Sequence, residues 1–255
     1  MTDRAGQRVH LGERREPWWR GPAVIDGDWI TIDRRRMEEY HPRLFDVLRP
    51  GEGPLTELAV VRQPRDAVRF ARSFGLLYPP PPDGPWRESF RVWEQQARLL
   101  RMGLTLYADV QATMADRTPA RIRALREAWS PILALGRPDL EVAVASDIDV
   151  FSVAADAVVS IVNEGLGAAW ERTAVMVGET GPLWFMADPQ APDLLAFTYL
   201  QLQTLVTGLV PLRTCADAEC GRSFTPLDPR ARYCEPAHGN RARARRSRQR
   251  GEPNP

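Results

Sequence analysis

A chain of 255 residues with 44% hydrophobic and 26% charged side chains has an ordinary globular composition, enough for one large domain or two modest ones, and neither a fibrous nor a disordered one. Its formal net charge of +1 hides an asymmetry: residues 213–250 carry 10 Arg against 4 acidic residues, whereas residues 1–212 carry 24 Arg against 28. An acidic body with a basic tail points to an anionic partner for the tail. All 34 basic residues are arginine, as a GC-rich genome would favour, so the concentration of charge carries that inference and the identity of the cation does not.

Residues 1–22 are polar, hold Pro17 and Pro22, and read as a mobile arm; they contain no apolar leader and predict no signal peptide. A small α+β region is expected over 23–85. Within it residues 29–32 (Trp-Ile-Thr-Ile) predict a strand, 37–48 a helix interrupted at Pro42, and 58–61 a second strand. Pro64, suited to a first helical position, and Gly75 bracket a helix. The four prolines at 79–82 exclude helix and mark an extended linker that closes this region.

A helical domain is expected over 86–212. Trp86, Phe90, Trp93, Ala97, Leu100, Leu104 and Tyr107 recur at spacings of three and four, one unbroken helical stripe. Bulky aromatics suit a globular interior, with a short homodimer seam as the alternative. Further helices are predicted at about 119–135, 151–177 and 192–208, with a strand or buried turn at 182–186. Residues 194–212 are the longest uncharged run, but Gln201, Gln203, three threonines, Gly208 and Pro211 make a buried helix the expectation and a membrane span unsuitable. The fold class expected is therefore mainly α with a few short strands, followed by a separate C-terminal module at 213–255.

That module carries the chemistry. Cys215 and Cys220, then Cys234 and His238, form two close pairs thirteen residues apart, and these are all the cysteines in the chain and one of its three histidines. Tetrahedral zinc takes such soft or borderline donors, and two pairs joined by a hairpin are how a short chain supplies them. Three cysteines cannot all pair as disulfides, and a cytoplasmic protein is the natural expectation. Cys234 and His238 share one face if a helix starts there. The layout is that of a treble-clef-like finger holding one structural Zn²⁺, with no open position for water.

Asn240, Arg241, Arg243, Arg245, Arg246, Arg248 and Arg250 follow. If they are helical, Arg241, Arg245 and Arg248 line one face and Arg243, Arg246 and Arg250 another. A helix with arginines on most sides is either solvated or laid against a polyanion, DNA before RNA. Phosphate contacts would give affinity without sequence information, and the amides of Asn240 and Gln249 are the side chains able to read base edges.

The stretch from Leu212-Arg213-Thr214-Cys215 through Cys220-Gly221, Phe224 and Arg232-Tyr233-Cys234 to Gly239-Asn240-Arg241-Ala242-Arg243-Ala244-Arg245-Arg246 resembles the CGNR-type zinc finger. That finger is found at the C-terminus of bacterial proteins regarded as stress-related transcriptional regulators, and the likeness covers about residues 212–250. It implies a helical N-terminal partner domain, one zinc ion and DNA binding. The family's fourth ligand is the cysteine of its CGNR; here His238 precedes Gly239-Asn240-Arg241, at a slightly shorter spacing from Cys234.

Two other functions stay open at this level. The first is a protein-interaction module, with a purely structural zinc site and arginines docked on the acidic body or on a partner. The second is an RNA-cleaving enzyme using Arg36 and His41, whose spacing matches an Arg-x4-His pattern of some helical ribonucleases. No phosphate-cradling glycine loop, dinucleotide fingerprint or nucleophile elbow is present in the sequence.

Overall fold

The computed structural model describes residues 18–40, 53–79, 81, 84–116, 118–133, 150–166, 170–176, 184–191, 193–207, 209–217, 219–226, 228 and 230–251. Trp18–Arg20 is a strand (β1), which corrects the arm expected over 1–22 at its end. β2 (Ala23–Asp26) and β3 (Trp29–Ile32) form a hairpin with Asp26 opposite Trp29, so the expected strand at 29–32 is present. Residues 38–40 do not continue a helix from 37 as expected. Glu38–Tyr40 is a strand (β4) that pairs antiparallel with β1, because three cross-strand partners outweigh a weak local helical preference. The expected helical residues 41–48 lie outside the described residues.

The second expected strand is a helix. Pro54–Ala59 (α1) starts with proline in its first turn and buries Pro54, Leu55, Leu58 and Ala59, a spacing that suits one helical face. Its N-terminus is satisfied from afar: the Gln201 side chain accepts from Leu55 N–H at 3.1 Å. The Arg101 guanidinium caps the other end by donating to the carbonyls of Ala59 and Val61 at 2.8 and 2.9 Å. α2 (Pro64–Phe74) follows as predicted and buries Ala67, Val68, Phe70 and Ala71.

The proline tract does not divide the body into separate domains. Residues 87–89 (β5, Arg87–Ser89) lie beyond it and pair with the free edge of β3, and α3 (Phe90–Ala115) starts only after them, four residues later than the stripe suggested. The stripe itself is core: Trp93, Ala97, Leu100, Leu104 and Tyr107 are buried within one chain, and Trp86 and Phe90 pack partly buried against them. α3 is the spine of the molecule. It packs on α1, on α4 (Pro119–Leu133), on α5 (Val150–Gly165), on α6 (Leu194–Thr207) and, at its far end, on the C-terminal module.

The helix expected over 151–177 stops at Gly165, and β6 (Trp170–Met176) pairs in full register with β7 (Trp184–Gln190) as an antiparallel hairpin. The helical run ends at Gly165, a poor helix former, and cross-strand pairing is established from Trp170 onward. α6 buries almost its whole length, and no helix among the described residues is long and apolar enough to cross a membrane.

Glu88 of β5 is buried and accepts from Leu77 N–H and Tyr78 N–H at 3.0 and 2.6 Å, tying the end of the α2 segment to the sheet. Burial pushes its carboxyl up to about 7, against the lowering effect of those two bonds. The folded state therefore holds the proton more tightly than the unfolded chain does. This contribution is complete below about pH 4.5 and is lost as pH rises through 7, on the order of 3 kcal/mol at most. Urea titrations at stepped pH are expected to show that decline in the native chain, and Glu88→Gln, which cannot ionise, is expected to flatten it. A decline of equal size in Glu88→Gln would assign it to other groups.

Candidate metal centre

Beyond α6 the chain is fastened to the spine before it turns. Tyr107 Oη donates to the carbonyls of Leu205 and Val210, Gln111 Nε2 donates to Val210 O at 3.0 Å, and Gln111 Oε1 accepts from Leu212 N–H at 2.9 Å. Two-residue strands β8 (Arg213–Thr214) and β9 (Ser223–Phe224) then pair antiparallel, burying Phe224. Arg222 reaches the body, its guanidinium 3.0 Å from Glu57 of α1. The module is thus docked on the spine and not strung from it.

The turn between β8 and β9 aims the first pair of thiols. Cys215 N–H donates to Arg222 O, and Cys220 N–H to Asp217 O, both at 2.9 Å, which folds residues 215–220 into a tight knuckle. Gly221 closes it at φ +59°, a left-handed conformation that strains any other residue, and a Cβ there would also push the Arg62 guanidinium aside. The chain returns through an Asp228 turn, and Ala216 N–H donates to Arg232 O at 2.8 Å, which sets Cys234 opposite the knuckle. α7 (Pro236–Gly251) opens with proline at its first position and carries His238 one turn on from Cys234. The Tyr233 ring lies against Gly239, where a Cβ would sit 3.2 Å from Cδ2.

All four expected ligands come together: the three Sγ atoms and one ring nitrogen of His238 lie within 4.8 Å of one another. Nδ1 of His238 faces the sulfurs, 3.7 Å from Cys215 and 2.9 Å from Cys234, and Cys220 is 3.6 Å from Cys234. A tetrahedral zinc site has sulfur–sulfur edges of about 3.8 Å and sulfur–nitrogen edges of about 3.6 Å, from bonds of about 2.3 and 2.0 Å. Two of the three separations fit those edges, and the Cys234–His238 pair is drawn tighter. Burial, with two neighbouring thiols, pushes the Cys234 thiol far up, so ionised sulfur at this spot calls for a cation. The cluster can hold a metal ion, and its donor set is compatible with zinc.

The arginines expected to face an anion divide into two sets. Asp217 of the knuckle is wholly buried, and its Oδ2 accepts from Arg241 Nε at 3.0 Å and from the same guanidinium's NH2 at 2.9 Å. Its Oδ1 pairs with Arg245, whose other nitrogen meets Glu219 at 2.6 Å. Arg241 and Arg245, both expected to meet an anion, thus pair with the finger's own acids while keeping about half and about a third of their side chains exposed. Arg243, Arg246 and Arg248 are exposed, with Arg243 donating to Asn240 and Arg246 to the Tyr233 hydroxyl at 3.3 Å. The side chain of Arg250 lies outside the described residues.

The ribonuclease-like pattern lacks its helix. Arg36 ends a single 3-10 turn (Arg34–Arg36), residues 38–40 are strand, and His41 lies outside the described residues. Searches against family models, curated proteins and solved structures find no match for this chain.

Proposed function

We propose that the C-terminal module is a treble-clef-like finger stapled by one structural zinc ion, and that it presents its arginine helix to duplex DNA as part of a transcriptional regulator. The observation that carries this is the convergence of Cys215, Cys220, Cys234 and His238 at the first turn of α7. The exposed Arg243, Arg246 and Arg248 therefore stand on a helix held at its base and not on a loose tail. Four protein ligands leave no position for a reacting water, so the ion's role is structural. The likeness of residues 212–250 to the CGNR-type finger supports the same reading, with histidine in place of the family's fourth cysteine. A reducing cytoplasm suits a thiolate-ligated site.

Binding of the full chain to duplex DNA is expected to weaken steeply with salt. Alanine at Arg243, Arg246 and Arg248 together is expected to lower the slope of log K against log salt by about 0.9 for each phosphate no longer neutralised. Fluorescence anisotropy over a salt series measures this. An unchanged slope in the triple variant would remove these arginines from the interface, and salt-independent or absent binding to DNA and RNA would overturn the reading. The internal neutralisation of Arg241 and Arg245 favours a second reading, a protein-interaction module, which a protein partner captured by the finger without nucleic acid would support.

A further inference from the structure

A groove of about 530 Å³ runs between α2 and the strand β2. Val24, Ile25 and Val68 give it apolar wall, Arg65, Arg69 and Arg72 give it a basic rim, and no carboxylate is among the described lining residues. β2 is the edge of its three-stranded sheet, and no strand among the described residues pairs with its outer side. Val24 and Ile25 are each about half exposed, so two β-branched apolar residues stand on an uncovered edge. Such an edge is a template for another extended segment.

The three arginines follow at steps of four and three, on one face of α2. Arg72 pins that helix to the strand, its Nε and a terminal nitrogen donating to Ala23 O at 3.1 and 3.0 Å. The Ala23 carbonyl therefore faces the outer edge, and by the alternation of a strand so do the backbone groups of Ile25. Arg65 and Arg69 are exposed. Arg65 lies against the neutral amide of Gln63, and Arg69 is 3.5 Å from Asp66, whose other oxygen accepts from Arg62 N–H. Ala23 is fully buried, so Val24 turns to the opposite face of the sheet and Ile25 to the side of α2. A segment laid along β2 alternates in the same way. Glutamates on the α2 side would cover Ile25 and Val68 with their methylenes and reach the arginines with their carboxylates, while the residues between them meet Val24. Nucleic-acid phosphates would answer the arginines and leave the apolar wall without a partner. A second copy docked edge to edge would set these arginines against their own kind.

We propose that this groove docks an extended segment of a partner protein in which acidic and apolar side chains alternate, laid along the outer edge of β2. Neither the metal centre nor the arginines of α7 take part. The probe is a capped, fluorophore-labelled peptide, Glu-Val-Glu-Leu-Glu-Ser, titrated with the full chain and read by anisotropy. Two relatives, one with glutamine for each glutamate and one with serine for valine and leucine, separate charge from apolar contact. The native chain is expected to bind the first peptide in the high micromolar range that suits so small an interface, and each relative several-fold more weakly. Arg65→Gln with Arg69→Gln is expected to weaken the first peptide roughly fivefold, as loss of two exposed ion pairs does, and to leave the glutamine peptide unchanged. Val24→Thr with Ile25→Thr keeps β-branching, removes apolar surface, and is expected to weaken it several-fold. Unchanged thermal unfolding checks that both double variants fold. No binding of the acidic peptide, equal binding of the three peptides, or an affinity that survives in both double variants would overturn the assignment. Duplex DNA that displaces the bound peptide would make the groove a nucleic-acid face and overturn it as well.

Discussion

Stripping the metal, or replacing Cys234 with serine, is expected to unfold residues 213–251 while the body keeps its structure. The reason lies in what the finger lacks. Of its described side chains only Cys215 and Phe224 are buried apolar groups, whereas the body owns a continuous core running from Ala23 to Leu212. α7 carries six arginines and no apolar stripe, so hydrophobic packing cannot hold it, and a short helix of that kind is marginal in water. Structural zinc contributes about 10–16 kcal/mol to isolated fingers at neutral pH, which exceeds anything two buried side chains supply. Circular dichroism should lose the share of helix signal belonging to one helix, and the thiols, three in the stripped protein and two in the serine variant, should become reactive to a thiol reagent. His238→Cys, which restores a four-thiolate set, should keep the metal where His238→Ala loses it. Unchanged helicity with protected thiols in the stripped protein would mean that the finger holds itself together, and the metal would have no structural role.

The ligand set could be read from the sequence because its information is local: each pair spans five or six residues, and the α7 start follows from Pro236 and the four-residue step between Cys234 and His238. The α3 stripe was readable for the same reason, and so was α2 between Pro64 and Gly75. What escaped was made by distant pairing. Residues 87–89 have helical neighbours on one side, and only the exposed edge of β3, nearly sixty residues earlier, makes them a strand. The apolar run at 58–61 was too short to tell strand from helix, and Gln201, which completes the α1 start, lies far along the chain. Asp217 gave no signal either, because an acid inside a turn reads as an ordinary surface residue until the turn swings it under residues 24 and 28 positions later.

That buried carboxylate gives the finger an asymmetry that mutation can expose. Asp217 is wholly out of water, while Arg241 and Arg245 keep about half and about a third of their side chains exposed, at 51% and 34%. Removing both arginines strands a buried anion, and breaking a buried pair in this way costs about 3–5 kcal/mol. Removing Asp217 loses the same bonds but leaves two cations that can turn into solvent, so the Asp217→Ala variant is expected to cost less. Deleting all three side chains should then be milder than deleting the arginines alone, since the stranded charge goes with them. Glu219, largely exposed, should contribute under about 1 kcal/mol by comparison. Metal affinity and thermal unfolding of the four variants measure these differences with one fixed background. If the arginine pair proved no costlier than Asp217→Ala, the carboxylate would not be the group that needs its partners. The inward face of α7 would then be free to meet an anion after all. The expected order instead assigns that face to placing the helix and leaves recognition to Arg243, Arg246 and Arg248, so variants at Arg241 and Arg245 should weaken DNA binding by loosening α7 rather than through a contact of their own.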